Sequence, residues 1–227
     1  RVDGGGDRIG VALPAGLPPV TIRGIRFDNC GVGVRITGGA HTIEDCSFVT
    51  GVHGLVADGA ALSVTGARFM EYAAEAVVTR DCSGSFTDCE FWGNNYGIFA
   101  AQSRDLVFDR IVMAFSCLTG VRIEEGGAVT LRRMTIFWAG MVPDDSTAVV
   151  LAGGASAVLD RCVISGNRGF GVHCRTGGSV SVTCSDFFQN SAGNFSGCAD
   201  PTGTNGVGVC AAGVATSPRS RAALANA

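Results

Sequence analysis

The chain contains no lysine: all 17 of its basic residues are arginine. That excludes Schiff-base chemistry, a lysine general base and a lysine clamp on a sugar acid. Charge of either sign is scarce, at 16% of residues with a net of −3, so there is no basic footprint for nucleic acid. Glycine or a charge interrupts every apolar stretch well short of the roughly 18 residues that a membrane-spanning helix needs. The cysteines include no C-x-x-C pair, and the three histidines are isolated, so neither a metal nor a cofactor is expected. No repeat holds an uninterrupted helical pattern, which argues against a helical or leucine-rich solenoid. A secretion signal is not visible.

What is present is a repeat. An apolar residue is followed three positions later by a small or medium apolar one, and two positions after that by a large one. The pattern reads Ile22-Ile25-Phe27, Ile43-Cys46-Phe48, Val64-Ala67-Phe69, Phe86-Cys89-Phe91, Phe108-Ile111-Met113, Leu131-Met134-Ile136, Leu159-Cys162-Ile164 and Val182-Ser185-Phe187. Successive first members are 21, 21, 22, 22, 23, 28 and 23 residues apart. A fixed period of this length is the mark of a stacked architecture. Val, Ile, Phe and Thr dominate each repeat and Gly, Asn, Asp and Ser break it, which are strand and turn compositions.

The step of three breaks strict alternation, so two short strands must flank a two-residue bend. Those bends are Arg23-Gly24, Glu44-Asp45, Thr65-Gly66, Thr87-Asp88, Asp109-Arg110, Arg132-Arg133, Asp160-Arg161 and Thr183-Cys184. Gly and Asp tolerate a left-handed backbone there; arginine is less comfortable. A further strand follows in each repeat, usually announced by glycine, as in Gly54-Leu55-Val56-Ala57 and Gly97-Ile98-Phe99-Ala100. Three short strands per turn then stack at roughly 4.8 Å, like residue on like. Phe27, Phe48, Phe69 and Phe91 are expected to form one internal aromatic column.

In period and phase the chain resembles the right-handed parallel β-helix family, the pectate-lyase-like solenoids, over roughly residues 8–200. The resemblance implies an all-β solenoid of about eight coils with three short strands per coil. Residues 1–206 are read as that β-helix, with an incomplete first coil at Ile9-Val11-Leu13, and 207–227 as an irregular tail or short capping helix. The stretch from Val182 to Gly206 further resembles the closing coil of β-helix repeats in bacterial secreted multidomain chains. That suggests an extracellular or cell-surface setting, with flanking domains of the same full-length chain as partners. A polysaccharide is the other candidate partner.

Phase also sorts the 10 cysteines. Cys46 and Cys89 share an inward position with Ala67 between them, about two coil steps apart and too far to bridge. They read, with Cys162, as core residues. Cys174 and Cys198 fall on successive coils and are the candidate disulfide; Cys198 with Cys210 is the rival pairing.

In enzymes of the resembled family the substrate usually lies along one exposed strand row and its loops. Here the outward residues of the further strand are Arg35, Val56, Val78, Phe99, Arg122, Val150 and His173, a mostly apolar row. A calcium-dependent lyase needs several carboxylates there. The hydrolases of this fold, as the resemblance implies, use three aspartates, a histidine and an Arg–Lys pair. Asp144, Asp145 and His173 are the only echoes. With Glu124 they come from three successive coils, and Asp144-Asp145 sits in the one coil stretched to 28 residues. These four are the candidate catalytic residues, set against a reading as solvated turns. Arg122, Phe99, Trp92 and Trp138 are the candidate ligand-binding residues, because a flat aromatic face suits the C–H face of a sugar ring. Phe137 and Phe188 fall near the same corner. Asn94, Asn167 and Asn190 recur in phase and read as turn-stabilising. Arg110, Arg132, Arg133 and Arg161, interleaved with Asp109 and Asp160, read as a salt-linked ladder or an anionic-glycan edge. His41 and His53 receive no role. Two functions are carried forward. One is a non-catalytic extracellular module for glycan or partner binding or structural spacing. The other is a lyase or glycoside hydrolase acting on uronic-acid polymers.

Overall fold

A computed structural model describes residues 1–140 and 147–198. Among them the chain winds as a right-handed solenoid of strands, and no helix is long and apolar enough to cross a membrane. Each coil holds three strands, as in Ala61–Thr65, Arg68–Tyr72 and Glu75–Arg80. The first strands of the coils form an eight-stranded sheet; the second and third strands form a sixteen-stranded one, because Arg26–Thr37 and Ser47–Asp58 run through the bend that separates them elsewhere. Neighbouring strands are parallel and one coil apart.

The register aligns the repeat signature with itself. Its first members, Ile22, Ile43, Val64, Phe86, Phe108, Leu131, Leu159 and Val182, pair rung to rung without a slip. Its last members form a second inward column, Phe27, Phe48, Phe69, Phe91, Met113, Ile136, Ile164 and Phe187. The four leading rings stack at centroid separations of 5.0, 4.7 and 4.8 Å with small interplanar angles. Phe86 and Phe108 stack likewise at 4.9 Å. Burial of each such ring stabilises the fold by about 2–3 kcal/mol. The middle members from Cys46 to Ser185 are buried too and Ile25 is partly so; Cys46, Cys89 and Cys162 are free thiols that donate to backbone carbonyls, as a small core residue can.

Two local rules produce this stacking. The second bend residue is left-handed in every coil: Gly24, Asp45, Gly66, Asp88, Arg110, Arg133, Arg161 and Cys184 all have φ between 49° and 65°. The glycine that opens the third strand packs under the ring column. A Cβ on Gly54 would lie 2.7 Å from the Ala76 carbonyl oxygen and 2.8 Å from the Phe69 ring, and one on Gly33 would meet Phe48 at 2.7 Å. Large ring and absent side chain are therefore one device, written at two places in the repeat.

Candidate functional site

The outward residues of the third strand form the single column expected of them. Arg35 pairs with Val56, then Val78, Phe99, Arg122, Val150 and His173 in turn. Its valines are nearly covered: Val56 and Val78 pack with Val32 and against Phe99. The Phe99 ring lies between two guanidinium groups, Arg80 at 5.8 Å and Arg122 at 6.0 Å from its centroid. Arg122 also holds Glu124, with Nε donating to Oε1 at 2.7 Å, and Arg80 pairs with Asp58 at 3.8 Å. The Glu124 carboxylate is thus committed to its own strand. Val150 stands between Arg122 and His173 in the column, and the His173 ring packs edge-on to Phe170 at 5.6 Å. Glu124 and His173 are not brought face to face. Asp144 and Asp145 lie outside the described residues.

A second surface forms where the second strand turns into the third. Trp92, Ala114, Phe137, Ser165 and Phe188 make one outward column. The next residue of each coil is left-handed: Gly93 and Gly166, but also Phe115 at φ 58° and Trp138 at φ 53°. Bulky residues seldom adopt this conformation, which costs on the order of 1–2 kcal/mol each. Here it aims two aromatic rings outward. Phe115 meets Trp92 at 5.9 Å, Phe137 at 5.9 Å and Trp138 at 5.2 Å, the last two edge to face. Trp138 stays 59% exposed and Trp92 36%. Beside them is a cavity of about 370 Å³, lined by Phe115, Trp138, Ala139, Gly140, Gly166 and Arg168. Gly166 leaves the room the indole uses, since a Cβ there would lie 2.9 Å from Trp138. Phe188, two coils beyond Phe137, is outside this cluster.

Beneath the corner the asparagines tie coil to coil. Asn94 Oδ1 accepts from the Tyr72 amide at 3.1 Å while its Nδ2 donates to the Phe69 carbonyl. Asn167 Oδ1 accepts from the Ala139 amide at 2.8 Å, and its Nδ2 donates to Asn190 Oδ1 at 2.7 Å. Asn190 in turn donates to the Ile164 carbonyl. The aromatic corner therefore stands on a hydrogen-bonded floor.

The arginine edge is a salt-linked ladder. Arg110 grips Asp88, with Nη2 at 2.7 Å, and also reaches Asp109 at 3.1 Å; Arg133 and Arg132 close on Asp109 from the next coil. Hydrogen bonds from Arg133 and Arg110 hold the Asp109 and Asp88 carboxyls, respectively, below the ordinary carboxylate range. His41, buried, accepts from the Val20 amide at Nδ1 and lies 3.1 Å from the Gly38 carbonyl at Nε2, which gives it a structural place under the first coils. His53 Nδ1 sits 3.4 Å from the Glu75 carboxylate.

Sequence phase found Trp92, Phe137 and Trp138 but missed Phe115 and Arg168. The signal for Phe115 was there, since it follows Met113 by two residues as Trp138 follows Ile136. Cys174 and Cys198 do lie together on adjacent coils, as free thiols, while Cys184, read only as a bend residue, is disulfide-bonded. Cys210 lies outside the described residues.

A family model described as a right handed beta helix region matches residues 13–110 and 75–213. The chain belongs to the right-handed β-helix family. No curated protein matches it. Among solved structures it is similar to the crystal structure of pectate lyase Pel9A, with a TM-score of 0.66 at 11% identity; the match covers 82% of this chain and 60% of that one. At that identity the likeness shows the fold, and this β-helix spans only part of the lyase's length.

Proposed function

We propose that this β-helix is a non-catalytic, extracellular binding module within a larger secreted chain, and that its aromatic corner takes the apolar face of a sugar ring. The observation that carries this reading is the cluster of Trp92, Phe115, Phe137 and Trp138 beside a cavity edged by Arg168. Two of its rings are held outward at a conformational cost, on a floor tied by asparagine. Exposed aromatics on a rigid scaffold are the usual anchors of recognition, because little rotamer entropy is lost on contact. On the third-strand row, Phe99 is already covered by Arg80 and Arg122, and Glu124 by Arg122, so that row offers less.

Calorimetric titration against a panel of neutral and acidic oligosaccharides tests the reading. Binding is expected for at least one of them, and Trp138→Ala should weaken it about tenfold or more while the thermal transition stays put. Incubation with pectate, alginate and polygalacturonate, with and without calcium, is expected to release no new chain ends. Turnover abolished by Asp145→Ala would replace this proposal with the polysaccharide-active enzyme.

A further inference from the structure

The third-strand row ends inside the solenoid with a sulfur. Thr79, Ala100, Ile123, Leu151 and Cys174 form its last inward column, and Cys174 is buried in the main core cluster. On the next coil the strand Gly193–Ser196 pairs with Phe170–Cys174, setting Ser196 beside His173. Gly197 then turns with φ 72°, so tightly over Cys174 that a Cβ on it would lie 1.9 Å from the Cys174 carbonyl oxygen. That turn swings Cys198 inward, where it packs against the same cluster. A diagonal step between adjacent parallel strands spans about 6 Å between Cα atoms, within the range a disulfide needs. Both thiols are free, and Cys198 Sγ donates to the Ser196 carbonyl at 3.6 Å, beside the strand that carries Cys174.

We propose that Cys174 and Cys198 are an oxidation site whose disulfide fastens the coil that carries Cys198 to the coil that carries Cys174. The co-reactant is a small soluble disulfide such as oxidised glutathione. Cys198, partly exposed, meets it first: its thiolate attacks one glutathione sulfur, the S–S bond breaks, and one glutathione thiol leaves. The Cys174 sulfur then attacks Cys198, its proton passing to solvent, and the second glutathione thiol leaves. Two protein thiols are oxidised and one glutathione disulfide is reduced. Burial, with the Cys198 thiol as neighbour, holds the Cys174 thiol well above its ordinary range, so the second step is the slow one. Cys184 is already disulfide-bonded, so oxidised sulfur is native to this end of the solenoid.

The full chain is equilibrated with mixed reduced and oxidised glutathione, blocked with an alkylating agent, and digested so that Cys184, Cys198 and Cys210 fall on separate peptides. Mass spectrometry is expected to find the Cys174 peptide joined to the Cys198 peptide. The linked protein should melt roughly 5–10 °C above its reduced form. In Cys174→Ser, glutathione should accumulate on Cys198 as a trapped adduct. Recovery of both wild-type cysteines alkylated, or Cys174 joined to another cysteine, overturns the proposal. A linked protein with an unchanged melting temperature overturns the fastening role. Because the mapping is done on the wild type, a variant that fails to fold does not protect the idea.

Discussion

Asp109 is nearly buried under three guanidinium groups, those of Arg110, Arg132 and Arg133. Its folded pKa is depressed, chiefly by the hydrogen bond from Arg133. The sign follows: its contribution to stability is present above the unfolded value of about 3.9 and is lost as pH falls through the lower folded value. Asp109→Asn is therefore expected to lower the urea midpoint at neutral pH, by on the order of 1 kcal/mol in stability. The gap between wild type and variant should narrow as pH falls below the unfolded value toward the depressed folded one, which urea titrations across pH would show. At the bends the reverse change helps. Arg161 is left-handed, its side chain is 62% exposed, and its contact with Asp160 is a loose 3.6 Å. Arg161→Gly should raise stability by up to about 1 kcal/mol by relieving the backbone, partly offset by the freer unfolded chain.

A coil works as an element because each large inward residue has a matching small one. A Cβ on Gly54 would lie under 3 Å from the Phe69 ring and the Ala76 carbonyl, whereas Ala76 and Ala148 occupy the equivalent place in other coils. Gly54→Ala is expected to cost about 1–3 kcal/mol by overpacking, and Gly54→Val more, as read from chemical denaturation. Removing the ring instead, by Phe69→Ala, should cost about 3–5 kcal/mol. These elements were legible before any coordinates. The signature residues Ile22 to Val182 and Phe27 to Phe187 pair as their phase requires, and the left-handed bends fall on the residues that the step of three marks out. Such features repeat eight times, and repetition turns weak local preferences into a clear pattern. Features that run against local preference were harder to read. The phase marks Phe115 as it marks Trp138, but a left-handed turn contradicts the propensity of both, and the turn at Gly197 before Cys198 leaves no periodic trace.

For the whole molecule, stacking converts sequence distance into spatial neighbourhood. Trp92, Phe115, Phe137 and Trp138 meet because their coils are consecutive, although 46 residues separate the first from the last. The same rule keeps Phe188 out of the group and puts Val150 between Arg122 and His173. Every surface assignment thus depends on one coil lying flat on the next. Ser63, Ser85, Val107, Thr130, Val158 and Ser181 form an outward column of one residue per coil, which makes it a ruler. Spin labels introduced by a thiol-independent route at Ser63 and Val158, and at Ser63 and Ser181, measure it by electron–electron double resonance. The stacked solenoid predicts backbone separations of about 19 Å and about 24 Å, growing by one strand spacing for the added coil. Two distances that differ by much more than one spacing, or that shrink as the coil count rises, would contradict the winding and the aromatic corner built on it.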